Sequence, residues 1–366
     1  MKRIFQFKRM YLLLLTPISL LLVLFARINN EWVEHFYIPY IYSPIRAVVG
    51  SFTSLFPFSV TEVVVLVAFC LCIWYIIRVI LQLVKNKGAW KHILYKFFIN
   101  LLCTASILLF GFELCMGLNY YRYSVTEYLG LEVKKSSATE LYEVCKILVN
   151  DMNESRSKMD KNAANAAVLS DKNRYETSDA ARDAYKKLGE KYPVLKGTDI
   201  KNKPLVSSRL FSYFLTTGIY IPYTFESNIN VDVPEYTIPA TMCHELTHSR
   251  GFMREEEANF LGYLACMYSD RADFNYSGSI MAFNYCFEKL YDADKALAKE
   301  IAAMCDKGIV VDMTIESQYW DKYWNTPTAE AGDAVYDGYL QANGQQSGIK
   351  SYGLMVDLLI AYYTQK

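Results

Sequence analysis

Three long apolar runs in the first third of the chain constrain its fold more than any other feature of the sequence. They are YLLLLTPISLLLVLFA (11–26), VTEVVVLVAFCLCIWYIIRVILQLV (60–84) and FFINLLCTASILLFGFELCMGL (97–118). Each is close to the roughly 20 residues that a helix needs to cross the hydrocarbon core of a bilayer. No small-residue cleavage site follows the first run, which favours an uncleaved span over a signal peptide.

The basic residues around these runs predict how the chain is oriented in the membrane. Four lysines lie in the short 85–96 connection, whereas the longer 27–59 connection carries only Arg27 and Arg46. Basic loops stay on the cytoplasmic side of a membrane. The basic N-terminus and the short connection are therefore predicted to be cytoplasmic. Three crossings then place the rest of the chain outside, in a multi-pass protein of the cell membrane.

This reading divides the chain into a three-span membrane region at 1–118 and an exterior domain at 119–366. The 27–59 connection mixes aromatic residues, proline and glycine with few charges, which is typical of an exterior loop of short helices at the membrane interface. Glu113 lies near the outer end of the third run. Its carboxylate is interpreted as a side chain at headgroup level, with a polar contact to the exterior domain as the alternative.

Helix signals dominate the exterior domain. SATE (137–140) is a capping box, so a helix is predicted from there to about residue 157. Further helical patterns run over 239–250, 254–268, 277–302 and 351–363. The β-branched and aromatic residues of 215–231 predict strands. The fold class is therefore three transmembrane helices followed by a mainly helical α+β soluble domain.

Composition limits the partners of the chain. Basic and acidic residues number 38 each, so the formal net charge is zero and nothing in it favours a nucleic-acid partner. The nine cysteines contain no CxxC pair, which argues against a zinc site built from cysteines. The lipid bilayer and a peptide or protein substrate are the predicted partners.

A candidate metal-binding motif lies in the polar part of the chain, in the stretch TMCHELTHSRGFMREEEANF. On a helix, His244 and His248 share one face, and their ring nitrogens can reach one zinc ion. Glu245 can take a proton from a zinc-activated water molecule and later give it to a leaving amine. Pro239 suits the first turn of this helix and Gly251 suits its end.

A catalytic zinc site usually has three protein ligands and one open position. The nearest candidates for the third ligand are three carboxylates on the next predicted helix, Glu255, Glu256 and Glu257. Glu255 shares a helix face with Asn259, whose amide can orient a ligand histidine. The other two glutamates share faces with apolar side chains and are weaker alternatives. Cys266, on the Glu255 face, is the one residue that could close the site as a fourth ligand.

HELTH followed by EEEAN resembles the zincin metallopeptidases, in the gluzincin arrangement where a second helix supplies a glutamate. The resemblance implies zinc ligands at His244, His248 and Glu255, a catalytic base at Glu245, and an outer-shell residue at Asn259. The short spacing between the two helices is closer to that of metzincins. Arg254 stands where metzincins have their third ligand, and a charged arginine cannot bind zinc.

The wider pattern resembles a bacterial family of uncharacterised membrane proteins. Three spans, the junction GLNYYR (117–122), the HExxH segment and SYGLMVDLL (351–359) carry this resemblance, which covers most of the chain. It implies a membrane-tethered, metallopeptidase-like domain. In zincins, an edge strand before the motif helix holds extended peptides, so 218–231 is either such a shelf or an ordinary sheet strand. Tyr352 is a candidate for stabilising an oxyanion, with a packing role as the alternative.

The sequence therefore predicts a membrane-anchored zinc metallopeptidase with its active site outside the cell membrane. A non-catalytic membrane sensor or scaffold, with structural or absent zinc, is the alternative. Proteolysis inside the bilayer is excluded, because Arg250, Arg254 and the three glutamates around the motif are too polar for hydrocarbon.

Overall fold

The structure is a computed structural model that describes residues 8–134, 137–343, 345 and 354–365. Its α-helices are α1 (Leu15–Ile28), α2 (Asn30–Trp32), α3 (Ser43–Ser54), α4 (Val60–Lys85), α5 (Trp90–Cys115), α6 (Val125–Leu129), α7 (Ala138–Ser157), α8 (Arg174–Lys191), α9 (Ser208–Ser212), α10 (Ile238–Ser249), α11 (Glu255–Met267), α12 (Ala272–Ala293), α13 (Lys295–Met304), α14 (Lys307–Trp320), α15 (Pro327–Ala342) and α16 (Met355–Thr364). Its strands are β1 (Asp160–Lys161), β2 (Ala167–Val168), β3 (Asn202–Pro204), β4 (Gly218–Ile221) and β5 (Glu226–Ile229). A π-helix covers Val33–Tyr42, and short 3-10 segments cover Lys8–Leu14, Lys87–Ala89, Gly117–Tyr121, Pro193–Leu195 and Glu235–Thr237.

Three helical segments are long and apolar enough to cross a membrane, as the sequence predicts: Lys8–Ile28, Val60–Lys85 and Lys87–Cys115. In the most apolar 18 residues of each segment, only 11%, 6% and 22% of the residues are buried by the rest of the protein. Most of these side chains therefore face outward. The third helix starts earlier than predicted, since α5 begins at Trp90 and carries Lys91 and Lys96 in its first turns. The basic connection therefore shortens to the residues around Asn86.

The domain after the third apolar helix has a helical core between α7, α10, α11, α12 and α16. The capping box at Ser137 and Glu140 is present and starts α7, which confirms that prediction. The single helix predicted over 277–302 is wrong, because the structure breaks it into α12 and α13. Asp294 causes the break, since its side chain caps α13 by accepting hydrogen bonds from the amides of Ala296 and Leu297.

A three-stranded sheet lies beside α10. β5 is central, with β3 parallel to it on one side and β4 antiparallel on the other. The register pairs Gly218 with Ile229 and Ile221 with Glu226. Within the described residues, β4 is therefore an edge strand of this sheet. The second sheet is a two-residue pairing of β1 with β2.

The 27–59 connection packs against the domain that follows the third apolar helix. It folds into α2, the π-helix and α3, and its Val33, Tyr37 and Tyr42 side chains are fully buried. They form a second apolar cluster together with Leu118, Phe225 and other residues of the domain. The connection and the domain therefore lie on the same side of the apolar helices, as the predicted topology requires.

The start of α4 is fixed to the sheet by a buried carboxylate. Glu226 of β5 is fully buried and accepts hydrogen bonds from the amides of Val60 and Thr61 and from the Thr61 hydroxyl, at 3.1, 2.7 and 2.8 Å. These amides are donors that the first turn of a helix leaves unpaired, and a negative charge there also complements the helix dipole. The second span is thus attached to the central strand of the sheet.

We expect Glu226→Ala to destabilise the protein by about 2–4 kcal/mol, because it leaves three buried donors without their acceptor. Thermal and denaturant unfolding of the full chain in detergent measures this loss. The exposed Glu190 provides the control, and Glu190→Ala should change stability by no more than about 0.5 kcal/mol. Equal stability of the two variants would contradict the anchoring role of Glu226.

Candidate metal centre

Helix α10 brings two histidine side chains together on one face. His244 and His248 lie one turn apart, and their rings are nearly perpendicular, with centroids 4.7 Å apart. Their Nε2 atoms approach to 3.0 Å. The two ring nitrogens that a metal ion would use therefore already point at one location.

The opposite ring nitrogens fix which tautomer each histidine adopts. His248 Nδ1 lies 2.9 Å from the carbonyl oxygen of Phe252, which can only accept a hydrogen bond, so Nδ1 carries a proton. His244 Nδ1 lies 2.8 Å from Asn259 Oδ1, and Asn259 is the residue that the sequence suggests for orienting a ligand histidine. With both Nδ1 atoms donating, both Nε2 atoms are acceptors whenever the rings are neutral, which is the form that binds a metal. Two lone pairs then face each other, an arrangement that a cation would stabilise.

Glu255, the first residue of α11, adds a third acceptor. Its Oε2 lies 3.2 Å from His244 Nε2 and 3.7 Å from His248 Nε2. The Glu255 side chain is almost fully buried, and its Oε2 has no hydrogen-bond partner in the described part of the chain. The other oxygen, Oε1, accepts a hydrogen bond from the Tyr336 hydroxyl at 2.7 Å. One oxygen is thus held in place while the other faces the histidines.

These three atoms have the spacing of ligands around one zinc ion. Bonds of 2.0–2.1 Å in a tetrahedron separate the ligand atoms by about 3.3–3.4 Å. The observed separations are 3.0, 3.2 and 3.7 Å. Within the described part of the chain, His244, His248 and Glu255 are the group that could hold a metal ion. Three protein ligands leave a fourth position for water or substrate, which is typical of catalytic rather than structural sites.

The alternative ligands named from the sequence lie elsewhere. Glu257 accepts a hydrogen bond from the Val125 amide at 3.0 Å and pairs with Arg254 at 2.9 Å, so it holds the start of α6. Glu256 accepts a hydrogen bond from Gln345 at 2.7 Å. Cys266 is fully buried and packs against Gly278 of α12, and it is not in the metal-capable group. The predicted closing ligand is therefore part of the core.

Glu245 lies beside the two histidines in a buried position, with 4% of its surface exposed. Its Oε2 has no hydrogen-bond partner among the residues described. Burial raises the pKa of Glu245, while the nearby charges of His244 and His248 lower it and that of Glu255 raises it. A glycine at 218 makes room for this side chain, because a Cβ there would lie 2.7 Å from Glu245 Oε1.

Charge interactions within the cluster are strong. Burial alone would raise the pKa of Glu255, but His248 and His244 hold it well below its usual range. Burial likewise opposes the charged form of His248, but the Glu255 carboxylate raises its pKa to about 9. The Glu255 carboxylate and the histidines thus stabilise each other when the histidines carry a positive charge. A divalent cation bound at the same place would supply a larger positive charge.

The end of α10 is held by side chains from the 27–59 connection and from the GLNYYR junction. Tyr42 donates to the carbonyl oxygens of His248 and Ser249, at 3.3 and 3.1 Å. Arg46 donates to the Ser249 carbonyl and Arg122 to the Arg250 carbonyl, both at 3.0 Å. These are the carbonyls that a helix end leaves unpaired, and cations there also complement the helix dipole.

Gly251 ends the helix with a φ of +85°, as the sequence predicts, in the left-handed region that glycine tolerates best. A side chain at this position would also collide with Asn119, Arg122 and Tyr42. The turn between the two helices therefore packs directly against the 27–59 connection and the GLNYYR junction. The position of Glu255, just after this turn, depends on that packing.

Several residues of this site were missed from the sequence. Tyr336, Tyr42, Arg46 and Arg122 come from segments far from the motif, and no spacing rule connects them to it. Tyrosine is common in this chain, at 30 residues, so a single tyrosine carries little signal. Tyr352, the oxyanion candidate, lies outside the described residues.

The fold and site define a class of protein: an apolar three-helix region joined to a helical domain with a candidate metal centre. The chain belongs to the family described as "Protein of unknown function (DUF3810)", whose model matches residues 37–360. The match includes Tyr42, both motif helices and most of α16. Searches of curated proteins and of solved structures gave no match.

We expect the purified full chain in detergent to bind about one zinc ion, as three protein ligands would allow. His244→Ala and Glu255→Ala should lose it, and Glu256→Gln, the matched control, should keep it. Elemental analysis and zinc titration measure both outcomes. The full chain is needed because a fragment from residue 124 onwards lacks Tyr42, Arg46 and Arg122. Zinc retained in Glu255→Ala would contradict the assignment of the third ligand.

Close packing of α10 and α11 should also control metal affinity. A Cβ on Gly262 would lie 3.0 Å from the His244 backbone nitrogen, so Gly262→Val forces the two helices apart. We expect a loss of about 1–3 kcal/mol of stability from overpacking, together with weaker zinc binding. Gly88→Val is the control, because a Cβ at Gly88 meets no atom within 4 Å. Unchanged zinc affinity in Gly262→Val would show that the ligand spacing tolerates this displacement.

Proposed function

We propose that the protein is a membrane-anchored zinc metallopeptidase, in which His244, His248 and Glu255 hold the zinc ion. The observation that carries this proposal is the convergence of two histidine Nε2 atoms and one carboxylate oxygen, 3.0–3.7 Å apart, beside the buried Glu245. Three buried hydrogen-bond acceptors that face one point cost free energy unless a cation or a proton lies between them. The ligand types and the open fourth position favour zinc in a catalytic role.

A zinc ion in this site would act as a Lewis acid, polarising a carbonyl group and making a bound water molecule more acidic. The protein's own groups prepare the ligands for this role. Asn259 and the Phe252 carbonyl hold the two histidine rings by their Nδ1 atoms, and Tyr336 holds Glu255 by Oε1. Such outer contacts fix the orientation of the ligands and their tautomers.

Glu245 is suited to moving a proton during peptide hydrolysis. Its buried Oε2 has no hydrogen-bond partner in the described residues. Burial raises the pKa of Glu245 from its usual value towards neutral pH, which suits a group that both accepts and donates a proton. It can therefore accept a proton from the attacking water and donate it to the leaving nitrogen of the cleaved bond. The same carboxylate serves as base and then as acid.

β4 is the proposed shelf for the substrate. It is an edge strand, and its first residue, Gly218, lies against Glu245 and Thr241 of α10. An extended peptide can add to such an edge through backbone hydrogen bonds. Addition there would bring the peptide backbone alongside the candidate metal centre.

The three apolar helices are proposed to cross the cell membrane, with the domain on the extracytoplasmic side. Lys85, Lys87 and Lys91 lie near the ends of α4 and α5 remote from the domain. The domain and the 27–59 connection, which pack together, are at the other ends. Basic residues favour the cytoplasmic side, and this supports a position of the domain on the opposite side.

A non-catalytic sensor or scaffold with a structural metal is the second candidate. Structural zinc sites are usually closed by four protein ligands. The packing of Cys266 against Gly278 removes the one fourth ligand considered from the sequence. Metal content alone does not separate the two functions, whereas hydrolysis does.

We expect Glu245→Gln to abolish peptide hydrolysis while keeping zinc, because glutamine fills the same space but cannot act as the base. The assay is cleavage of a peptide library by the zinc-loaded full chain in detergent, followed by mass spectrometry. Glu256→Gln is the control and should retain both zinc and activity. Peptide hydrolysis by Glu245→Gln at the rate of the unaltered protein would contradict this mechanism. A zinc-loaded, folded protein that cleaves nothing would favour the sensor or scaffold.

A further inference from the structure

We propose that the substrate is a polypeptide anchored in the same bilayer, cleaved in the segment that emerges from the membrane. This inference rests on the proposed peptidase function and names the class of substrate. It comes from the path of β4, which connects the candidate metal centre to the membrane-spanning helices.

One end of β4 lies at the site. Gly218 is so close to α10 that a Cβ would lie 2.7 Å from Glu245 Oε1 and 2.9 Å from Thr241 Cγ2. The strand then runs through Tyr220, whose ring lies 6.5 Å from the ring of His248. A peptide paired with this edge would pass directly beside the histidines.

The other end of β4 reaches the third apolar helix. Tyr223, in the turn after β4, donates a hydrogen bond to the backbone carbonyl of Leu108 at 2.9 Å. Its ring also packs over Gly111, where a Cβ would lie 3.3 Å from the ring. Leu108 precedes the end of α5 at Cys115 by about 10 Å, at a rise of 1.5 Å per residue. The turn that follows β4 therefore packs against the last two turns of α5, at the end of this helix that faces the domain.

The segment that leads into β4 is also tied to a membrane-spanning helix. The amides of Val206 and Ser207 donate to Glu62, in the first turn of α4, at 3.0 and 2.9 Å. From this point to β4 the chain presents exposed apolar side chains, among them Val206, Leu210 and Phe214. Exposed apolar side chains next to a membrane-spanning helix suit contact with lipid. Both flanks of β4 are thus at the membrane surface.

Helix α15 forms the opposite wall of this path. Its Gly332 lies against Phe214, its Tyr336 contacts Glu255, and its Tyr339 ring packs on Phe112 of α5. These three contacts run from the segment before β4, past the candidate metal centre, to the third apolar helix. Helix α15 and β4 therefore flank the candidate metal centre along the same course to the third apolar helix.

The geometry also limits which bond is reached. A strand rises about 3.3 Å per residue, so about five residues separate the level of Tyr223 from Gly218 beside Glu245. A polypeptide that leaves the bilayer next to α5 and extends along β4 therefore presents a bond about 5–10 residues from its membrane anchor.

The test uses the zinc-loaded full chain in lipid nanodiscs or vesicles and one unstructured segment of degenerate sequence. The segment is supplied as a soluble peptide, on a single-span helix with a spacer of about 5 residues, and on the same helix with a flexible spacer of about 40 residues. The two anchored forms have the same concentration in the membrane, so their comparison isolates geometry from concentration. Glu245→Gln serves as the blank for cleavage at this site.

We expect cleavage of the short-spacer form to be at least about tenfold faster than that of the long-spacer form, with cuts about 5–10 residues from the anchor. Equal or faster cleavage of the long-spacer or soluble form would overturn this inference and leave the peptidase function standing. Cleavage of none of the three forms by the zinc-loaded protein would overturn the proposed function itself, and the inference with it.

Discussion

The structure depends on how the end of α10 satisfies its unpaired carbonyl oxygens. A helix end buried in a protein needs donors for these groups. Here the donors are Tyr42 and Arg46 from the connection between the first two spans and Arg122 from the end of the third. The 27–59 connection and the GLNYYR junction are therefore more than links, because their side chains complete the helix that carries the histidines.

The same principle organises the sheet. Glu226 uses its buried carboxylate to pair the first amides of α4, while Lys203 on β3 donates to the Phe56 carbonyl just before that helix. Unpaired backbone groups at both the start of a span and the end of the motif helix are thus satisfied across the boundary between membrane region and domain. The sheet, α10 and the span ends form one connected polar framework.

Sequence patterns predicted the features that depend on local spacing. The apolar runs, the capping box at Ser137, the glycine stop at Gly251 and the helix face shared by Glu255 and Asn259 all follow from periodicity over a turn or two. The break between α12 and α13 was missed, since one aspartate cap interrupts an otherwise helical pattern. The contacts of Tyr42, Arg122 and Tyr336 join positions 81 to 207 residues apart. Such contacts depend on the tertiary fold and leave no local signal.

Long-range bracing also has a consequence for biogenesis. Tyr42 is inserted near the membrane early in synthesis, but its acceptors at His248 and Ser249 lie 206 and 207 residues further along the chain. Contacts of such sequence separation form late and slowly, because a long loop must close first. Polar groups of the early segments, such as the Tyr42 hydroxyl, therefore stay hydrated until the second half of the chain has been made. Completion of the histidine cluster is then a late step of assembly, which follows the synthesis of the second half of the chain.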